Sequence, residues 1–350
     1  MLYNIFMPSS IKLKAYAKLN LHLEVLGKRP DGYHDLWSIF HLISLCDELE
    51  FEPLENGRIV LTCNNNHLPV NEKNLVVKAA RLLQDYAKNP VVPRHVPAWL
   101  IEGDGVHPSV GQACCMSQDN KITSAQSILP EDSITPARSI SQDNKLAGAK
   151  ITLTKSIPIG AGLGGGSSDA AAALLGLSEL WDMELSGSEL QRLALELGSD
   201  VPYFLTGGTA LVTGRGEKIK PLDWKQNYHF AIVYPGFGVS TAWAYKNLKI
   251  PLTKGPGFSK MSNCDPPLEP NSEQLAKVLY NDLEKAVIPS HPQIGLIKQQ
   301  LAQNGSLGVL MSGSGSSVFG LFPDSGSARQ AVSKLESQWP CCFYAVSQRS

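Results

Sequence analysis

The stretch PIGAGLGGGSSDAAAALL, Pro158 to Leu175, sets five glycines and two serines directly in front of an alanine-rich run. Alanine and leucine are strong helix formers, and Ser167, Ser168 and Asp169 are all of the types that favour a helix N-cap. The pattern predicts a flexible loop that turns into a helix N-terminus. Such a terminus presents several unpaired N–H groups and about half a positive charge. Glycines let an anion approach those groups with no Cβ in the way, so the guest that fits is a phosphate.

Phosphate loops are of several kinds, and the flanking sequence separates them. No lysine follows the glycines, so G-x-x-x-x-G-K-[ST] is absent. Gly160, Gly162 and Gly165 do satisfy G-x-G-x-x-G. A dinucleotide fold, however, needs a buried parallel strand in front, whereas ITLTKSIP alternates and carries Pro158. The next segment, LSGSELQRLALEL (Leu185 to Leu197), reads as a helix with Ser186 and Glu189 at capping-box spacing, not as a strand ending in an acid. Glycines that merely allow close helix packing explain neither the triple glycine nor the serines.

Upstream, KLKAYAKLNLHLEVL (Lys12 to Leu26) alternates apolar and polar residues and predicts a half-buried antiparallel strand. GKRPDGYHDL follows as a loop, then WSIFHLISLCDELEFE and GRIVLTC read as strands. NLVVKAARLLQDYA (Asn74 to Ala87) has helical spacing, with Asn74 as its N-cap. From about residue 90 to 148 the periodicity dissolves, and the words SQDNKITS and SQDNKLAG recur at Ser117 and Ser141. Two copies are too few for a solenoid, so this segment reads as an insertion or local duplication without a catalytic part.

Composition excludes several classes. At 350 residues, 43% hydrophobic and 18% charged, the chain can bury a sizeable core and is long enough for two domains. Its 31 basic and 32 acidic residues give a net charge of −1, which offers no electrostatic argument for nucleic acid or an anionic membrane. The seven cysteines include adjacent pairs, Cys114-Cys115 and Cys341-Cys342, but no C-x-x-C, and imply neither a disulfide framework nor a zinc site. No histidine has metal-ligand spacing. No apolar run approaches about 18 residues, and MLYNIFMPSSIKLK lacks the pattern of a signal peptide. The expectation is a cytoplasmic protein with a small-molecule ligand and no nucleic-acid or membrane partner, as a monomer or homodimer.

PIGAGLGGGSSDAAAAL resembles the P-x-x-x-G-L-G-S-S loop with which the GHMP kinase superfamily binds ATP. Two more segments fit the same superfamily in the same order. AYAKLNLHLEVLGKRPDGYHDL resembles the N-terminal signature of the branch that acts on 4-diphosphocytidyl-2-C-methyl-D-erythritol in non-mevalonate isoprenoid synthesis. MSGSGSSVFGLF resembles the C-terminal glycine-rich motif. The resemblance implies an α+β fold in two domains. Residues 1–220 would form a nucleotide-binding domain with a mostly antiparallel sheet and an insertion at about 90–148, and residues 221–350 a C-terminal ferredoxin-like domain.

The resemblance also implies the chemistry: transfer of the γ-phosphoryl group of ATP, with Mg²⁺, to the 2-hydroxyl of that cytidyl substrate, giving the 2-phosphate and ADP. Lys18 and Asp200 would be the catalytic pair. Pro158, Ile159, Gly160, Ala161, Gly162, Leu163, Gly164, Gly165, Gly166, Ser167 and Ser168 would hold ATP. Asn20, Tyr33, His34 and Tyr245 would line the substrate pocket, with Tyr33 stacked on cytosine, His34 reading its edge and Tyr245 facing Tyr33. No residue is assigned to the metal. The alternatives are another GHMP kinase, of homoserine or mevalonate type, and a nucleotide-binding protein without catalysis.

Without the resemblance these residues keep simpler readings. Lys18, on the polar face of its strand with Asn20 and His22, marks either a solvated face or a site wall. Asp200 follows Gly198 and precedes Pro202, which suits an N-cap equally well. Tyr33 fits a turn, Tyr245 a core edge, and Ser312 to Ser317 a tight turn feeding VFGLF. Placed together, Lys18 and Asp200 make chemical sense: a carboxylate accepts the proton of an attacking hydroxyl while an adjacent ammonium keeps it ionised.

Overall fold

The computed structural model describes residues 10–88, 147–249 and 268–349. The repeated word at Ser117, the one at Ser141 except for its last two residues, and nearly all of the expected insertion lie outside the described residues.

The alternating segment forms β1 (Ile11–Lys28), which turns back into the long β2 (His34–Leu54). The turn is held by its own polar residues. Arg29 bonds Asp31 and Asp35, the Asp31 carboxylate accepts from the Tyr33 amide at 3.1 Å, and Gly32 takes φ +86°. Then come β3 (Ile59–Cys63), α1 (Leu75–Lys88), β4 (Gly148–Thr154), α2 (Gly165–Leu180), α3 (Gly187–Leu197), α4 (Val201–Thr206), β5 (Thr209–Gly214) and β6 (Lys218–Leu222). The later part runs β7 (His229–Tyr234), α5 (Thr241–Asn247), α6 (Ser272–Val278), β8 (Tyr280–Asn281), α7 (Glu284–Val287), α8 (Pro292–Gln303), β9 (Gly308–Met311), β10 (Val318–Phe322), α9 (Ser325–Leu335) and β11 (Cys341–Val346).

Among the described residues these strands build two sheets. The larger has the order β3-β4-β2-β1-β8, with β5 paired to β2 and β6 to β5. Its pairs are antiparallel except β3 with β4 and β1 with β8. The smaller sheet, β11-β7-β10-β9, is antiparallel throughout. With α8 before β9 and α9 before β11, that is the strand order of a ferredoxin-like unit, so the α+β expectation holds. No described helix is long and apolar enough to cross a membrane.

The expected half-burial of β1 is met only in its first part. From Ala17 to Val25 every residue is buried, including Lys18, Asn20, His22 and Glu24. Alternation cannot reveal this, because the polar face is covered by other parts of the chain. His22 pairs with Glu24 at 3.0 Å and with the Val278 carbonyl at 2.7 Å beneath the α6–β8 segment. The β1–β2 register shifts after Tyr16, where β2 carries the extra residues, and after Asn20 and Val25, where β1 does, mark bulges, a device that re-aims side chains beside a site.

Local signals decide the helices. Asn74 Oδ1 accepts from Val76 N at 2.9 Å at the start of α1, and α3 opens with the full Ser186–Glu189 capping box. In α2 the cap is Gly164, at φ +72° with no side-chain bond, and Ser167, Ser168 and Asp169 fall inside the helix instead. α2 is buried on most sides, which explains its small residues: a Cβ on Gly176 would stand 2.4 Å from Phe51 Cε2. Asp200 opens α4, but its carboxylate makes no capping hydrogen bond and is left for other work.

One apolar cluster packs α1, α2 and α3 on the larger sheet. A second joins the two sheets, with Leu19, Leu21, Trp37 and Ile43 against Phe230, Ile232, Phe319 and Leu321. Ile157, Ala161 and Leu163 are embedded in that second cluster, so the glycine loop is anchored in the core that joins the sheets.

Candidate active site

A cleft of about 840 Å³ gathers residues far apart in the sequence, a volume suited to a drug-sized ligand or larger. Its wall includes Lys18, Asn20, Tyr33, His34, Asp200 and Tyr245, and the loop from Pro158 to Ser167. Ser168 is the exception among the expected residues. It is buried within α2, off the cleft wall, and its amide bonds the Gly164 carbonyl at 2.9 Å.

The loop's carbonyl oxygens are engaged one after another. Gly160 O accepts from Val239 N at 3.3 Å, Ala161 O from Ser317 N at 3.1 Å and Leu163 O from Lys18 N at 2.9 Å. Gly162 O accepts from Ser312 Oγ at 2.9 Å. Tying up these acceptors removes oxygens that would repel a phosphate, and leaves the positive end of α2 as the dominant local field. Two glycines are obligatory here. Gly162, at φ +78°, would put a Cβ 2.1 Å from Ser312 O, and Gly164, at φ +72°, would put one 2.7 Å from the Phe204 ring and 3.1 Å from Lys18 Cγ. The Ser312–Ser317 segment thus braces the loop while its Gly313 and Ser314 line the cleft, and is itself braced: Asn281 Nδ2 donates to Met311 O at 2.8 Å and to Gly313 O at 2.7 Å.

Lys18 Nζ stands 4.0 Å from Asp200 Oδ2, bonds Asn20 Oδ1, and lies 4.5 Å from the centroid of the Phe40 ring. Burial lowers its pKa, and the Asp200 carboxylate opposes that fall. Asn20 is fixed in turn, its Nδ2 donating to Ser38 Oγ at 3.1 Å. The Asp200 side chain is about one-third exposed, which leaves an oxygen accessible from the cleft.

The aromatic residues of the cleft are arranged differently from the expected pairing. The ring against Tyr245 is that of His34, at 5.1 Å between centroids and 20° between planes. Tyr33, 58% exposed, has the Arg215 guanidinium 5.0 Å from its ring centre. Burial, then the nearby Lys28 charge, lowers the His34 pKa below the usual 6.5 and favours a neutral imidazole. Burial also pushes the Tyr245 hydroxyl upward, with Asp200 adding to it.

Sequence reasoning passed over Arg215, Phe40, Lys155 and Asp169 as cleft residues. Only Arg215 carried a signal: GRG puts it between glycines at φ +69° and +113°, a turn that projects its side chain. Among the described residues no group of three His, Cys, Asp or Glu side chains could hold a metal ion.

Known proteins resemble this chain in both sequence and fold. The chain matches the GHMP kinases N terminal domain over residues 134–208 and the GHMP kinases C terminal over residues 268–341. A 4-diphosphocytidyl-2-C-methyl-D-erythritol kinase of Acaryochloris marina is 35% identical, over 94% of this chain and 92% of that protein. One of Pelotomaculum thermopropionicum is 37% identical, over 91% and 92% respectively. A crystal structure of 4-(cytidine 5'-diphospho)-2C-methyl-D-erythritol kinase superposes with a TM-score of 0.67 at 30% identity, covering 97% of this chain and 100% of that one. The chain belongs to the GHMP kinases and, within them, to the 4-diphosphocytidyl-2-C-methyl-D-erythritol kinase family.

Proposed function

We propose that this protein phosphorylates the 2-hydroxyl of 4-diphosphocytidyl-2-C-methyl-D-erythritol at the expense of ATP, giving the 2-phosphate and ADP in the non-mevalonate route to isoprenoid precursors. The observation that carries the reading is the 4.0 Å Lys18–Asp200 contact on the wall of the cleft that the glycine loop also lines. Relatives named for this reaction, alike over nearly the full chain, favour it over a homoserine or mevalonate kinase.

The residues present suit a nucleotide: a cradle that a Cβ at Gly162 or Gly164 would fill, and loop carbonyls already bonded elsewhere. Pro158 to Ser167 hold the phosphates in this reading, whereas Ser168 contributes only through the helix it stabilises. Mg²⁺ would be held chiefly by the phosphates of the nucleotide, as this ion usually is in such sites. When bound, the nucleotide with its ion supplies the phosphoryl group and part of the charge neutralisation.

The remaining work falls to side chains. Asp200 accepts the proton of the attacking hydroxyl, since one of its oxygens is accessible and no cap competes for it. Lys18, 4.0 Å away, faces the negative charge that develops during transfer. Asn20 steers the ammonium. His34, neutral and stacked on Tyr245, reads the edge of the cytosine, and Tyr33 offers a further ring at the mouth of the cleft.

The division of the chain near Pro221 belongs to the same proposal. It is supported by the change of sheet between β6 and β7, although β8 crosses back to pair with β1. Both substrates are charged and water-soluble, which suits a cytoplasmic reaction.

The test is ADP release with ATP and Mg²⁺, using the cytidyl substrate, homoserine or mevalonate as acceptor. Turnover with the cytidyl substrate alone is expected. Turnover with homoserine or mevalonate in its place, or with none of the three, contradicts the reading.

A further inference from the structure

We propose that Asp47, Lys155 and Asp169 form a buried positioning triad that sets the shape of the phosphate loop for the nucleotide; the inference rests on the kinase reading above. The three come from separate elements. Asp47 lies on β2, Lys155 directly follows β4 at the entrance to the loop, and Asp169 sits in α2 just past its exit. The Lys155 ammonium contacts Asp47 Oδ2 and lies 2.9 Å from Asp169 Oδ2. Their side chains are 5%, 0% and 4% exposed for Lys155, Asp47 and Asp169.

Each contact acts on the loop rather than only on the core. Asp47 Oδ1 accepts from Ser156 N at 2.6 Å and Ile157 N at 2.8 Å, the backbone that leads into Pro158. Through Lys155 the same carboxylate is tied to Asp169, so entrance and exit of the loop are clamped to one strand of the sheet. A Cβ on Gly165, the first residue of α2, would stand 3.1 Å from Lys155 Nζ. A cation at that end of a helix opposes the macrodipole, and the two carboxylates offset the cost. One ammonium against two carboxylates adds no net positive charge, so the triad acts on the nucleotide through the shape it gives the loop, and the helix end supplies the field.

Asp169 is the uneven member. Its Oδ1 is buried without a hydrogen-bond partner, and the residue contributes to the cleft wall. Burial raises its pKa, with Lys155 opposing and Asp47 adding, to about 7. A neutral carboxyl still offers Lys155 an acceptor, as an amide would. Lys155 is raised despite its burial, because Asp169 and Asp47 outweigh the desolvation.

Binding of a non-hydrolysable ATP analogue by calorimetry, beside KM for the cytidyl acceptor, kcat and the urea unfolding midpoint, tests the triad in Lys155→Met and Asp169→Asn. Lys155→Met is expected to weaken analogue binding by about tenfold or more while KM for the acceptor stays within about twofold. Asp169→Asn, which keeps the acceptor, is expected to stay within about threefold of the parent for the analogue. If Lys155→Met does not fold, Asp47→Asn takes its place with the same expected split. A folded Lys155→Met that binds the analogue as the parent does, or that weakens both substrates by the same factor, overturns the proposal. So does an Asp169→Asn that loses as much as Lys155→Met. A parent chain that binds the analogue but phosphorylates no acceptor contradicts the kinase reading alone, and the analogue comparison still decides the triad.

Discussion

A lysine this well buried needs specific partners, and Lys18 has three: the Asp200 carboxylate, the Asn20 carbonyl and the face of Phe40. All three favour the ammonium against the desolvation that lowers its pKa. His34 shows the opposite logic, since burial and Lys28 both disfavour its charge. A His pKa below 6.5 means the ring is neutral at and above that pH and gains its proton only in more acid solution. KM for the cytidyl substrate is therefore expected to stay flat from about pH 8 to 6.5 and to rise below it, a rise that His34→Gln should remove. A KM that already climbs between pH 8 and 7 would contradict a neutral His34 as the base reader. Neither the His34–Tyr245 stack nor the position of Arg215 over Tyr33 was legible in the sequence, because both bring together residues about 180 to 210 positions apart.

Elements were legible where their signals were local. The capping box of α3, the Asn74 cap of α1 and the alternation of β1 are short-range patterns; both caps appear in the structure and β1 forms, though its alternate burial stops at Tyr16. The cap of α2 was not, because Ser167 and Ser168 compete on paper with a glycine whose left-handed backbone decides the matter. The same helix carries a sharper test. Gly176→Ala should gain about 1 kcal/mol of helix propensity, yet its Cβ would meet the buried Phe51 ring at 2.4 Å. Overpacking is expected to win, with a net loss of about 1–3 kcal/mol read as a lower urea midpoint at unchanged slope. A raised midpoint would show that the helix has room to move away from β2.

Two apolar clusters span both sheets, so the two parts of the molecule are mechanically joined. Phe230, fully buried between them, is expected to cost about 3–5 kcal/mol when replaced by Ala, and heating should unfold parent and variant in a single transition. Two separated transitions would mean that the sheets are stable independently. The sequence outlined the two-sheet architecture through its motifs, but not the long-range contacts that close the cleft. Asp47 in CDELEFE reads only as a polar strand residue until the chain folds it against Lys155.

What most directly tests the chemistry is kcat of Asp200→Asn with the cytidyl substrate, measured beside its affinity for a non-hydrolysable ATP analogue. A fall of about 10²–10⁴ in kcat with analogue affinity within about threefold is expected of a lost general base in an intact site. A kcat close to that of the parent would remove Asp200 from the reaction and, with it, the pairing with Lys18 on which the mechanism rests.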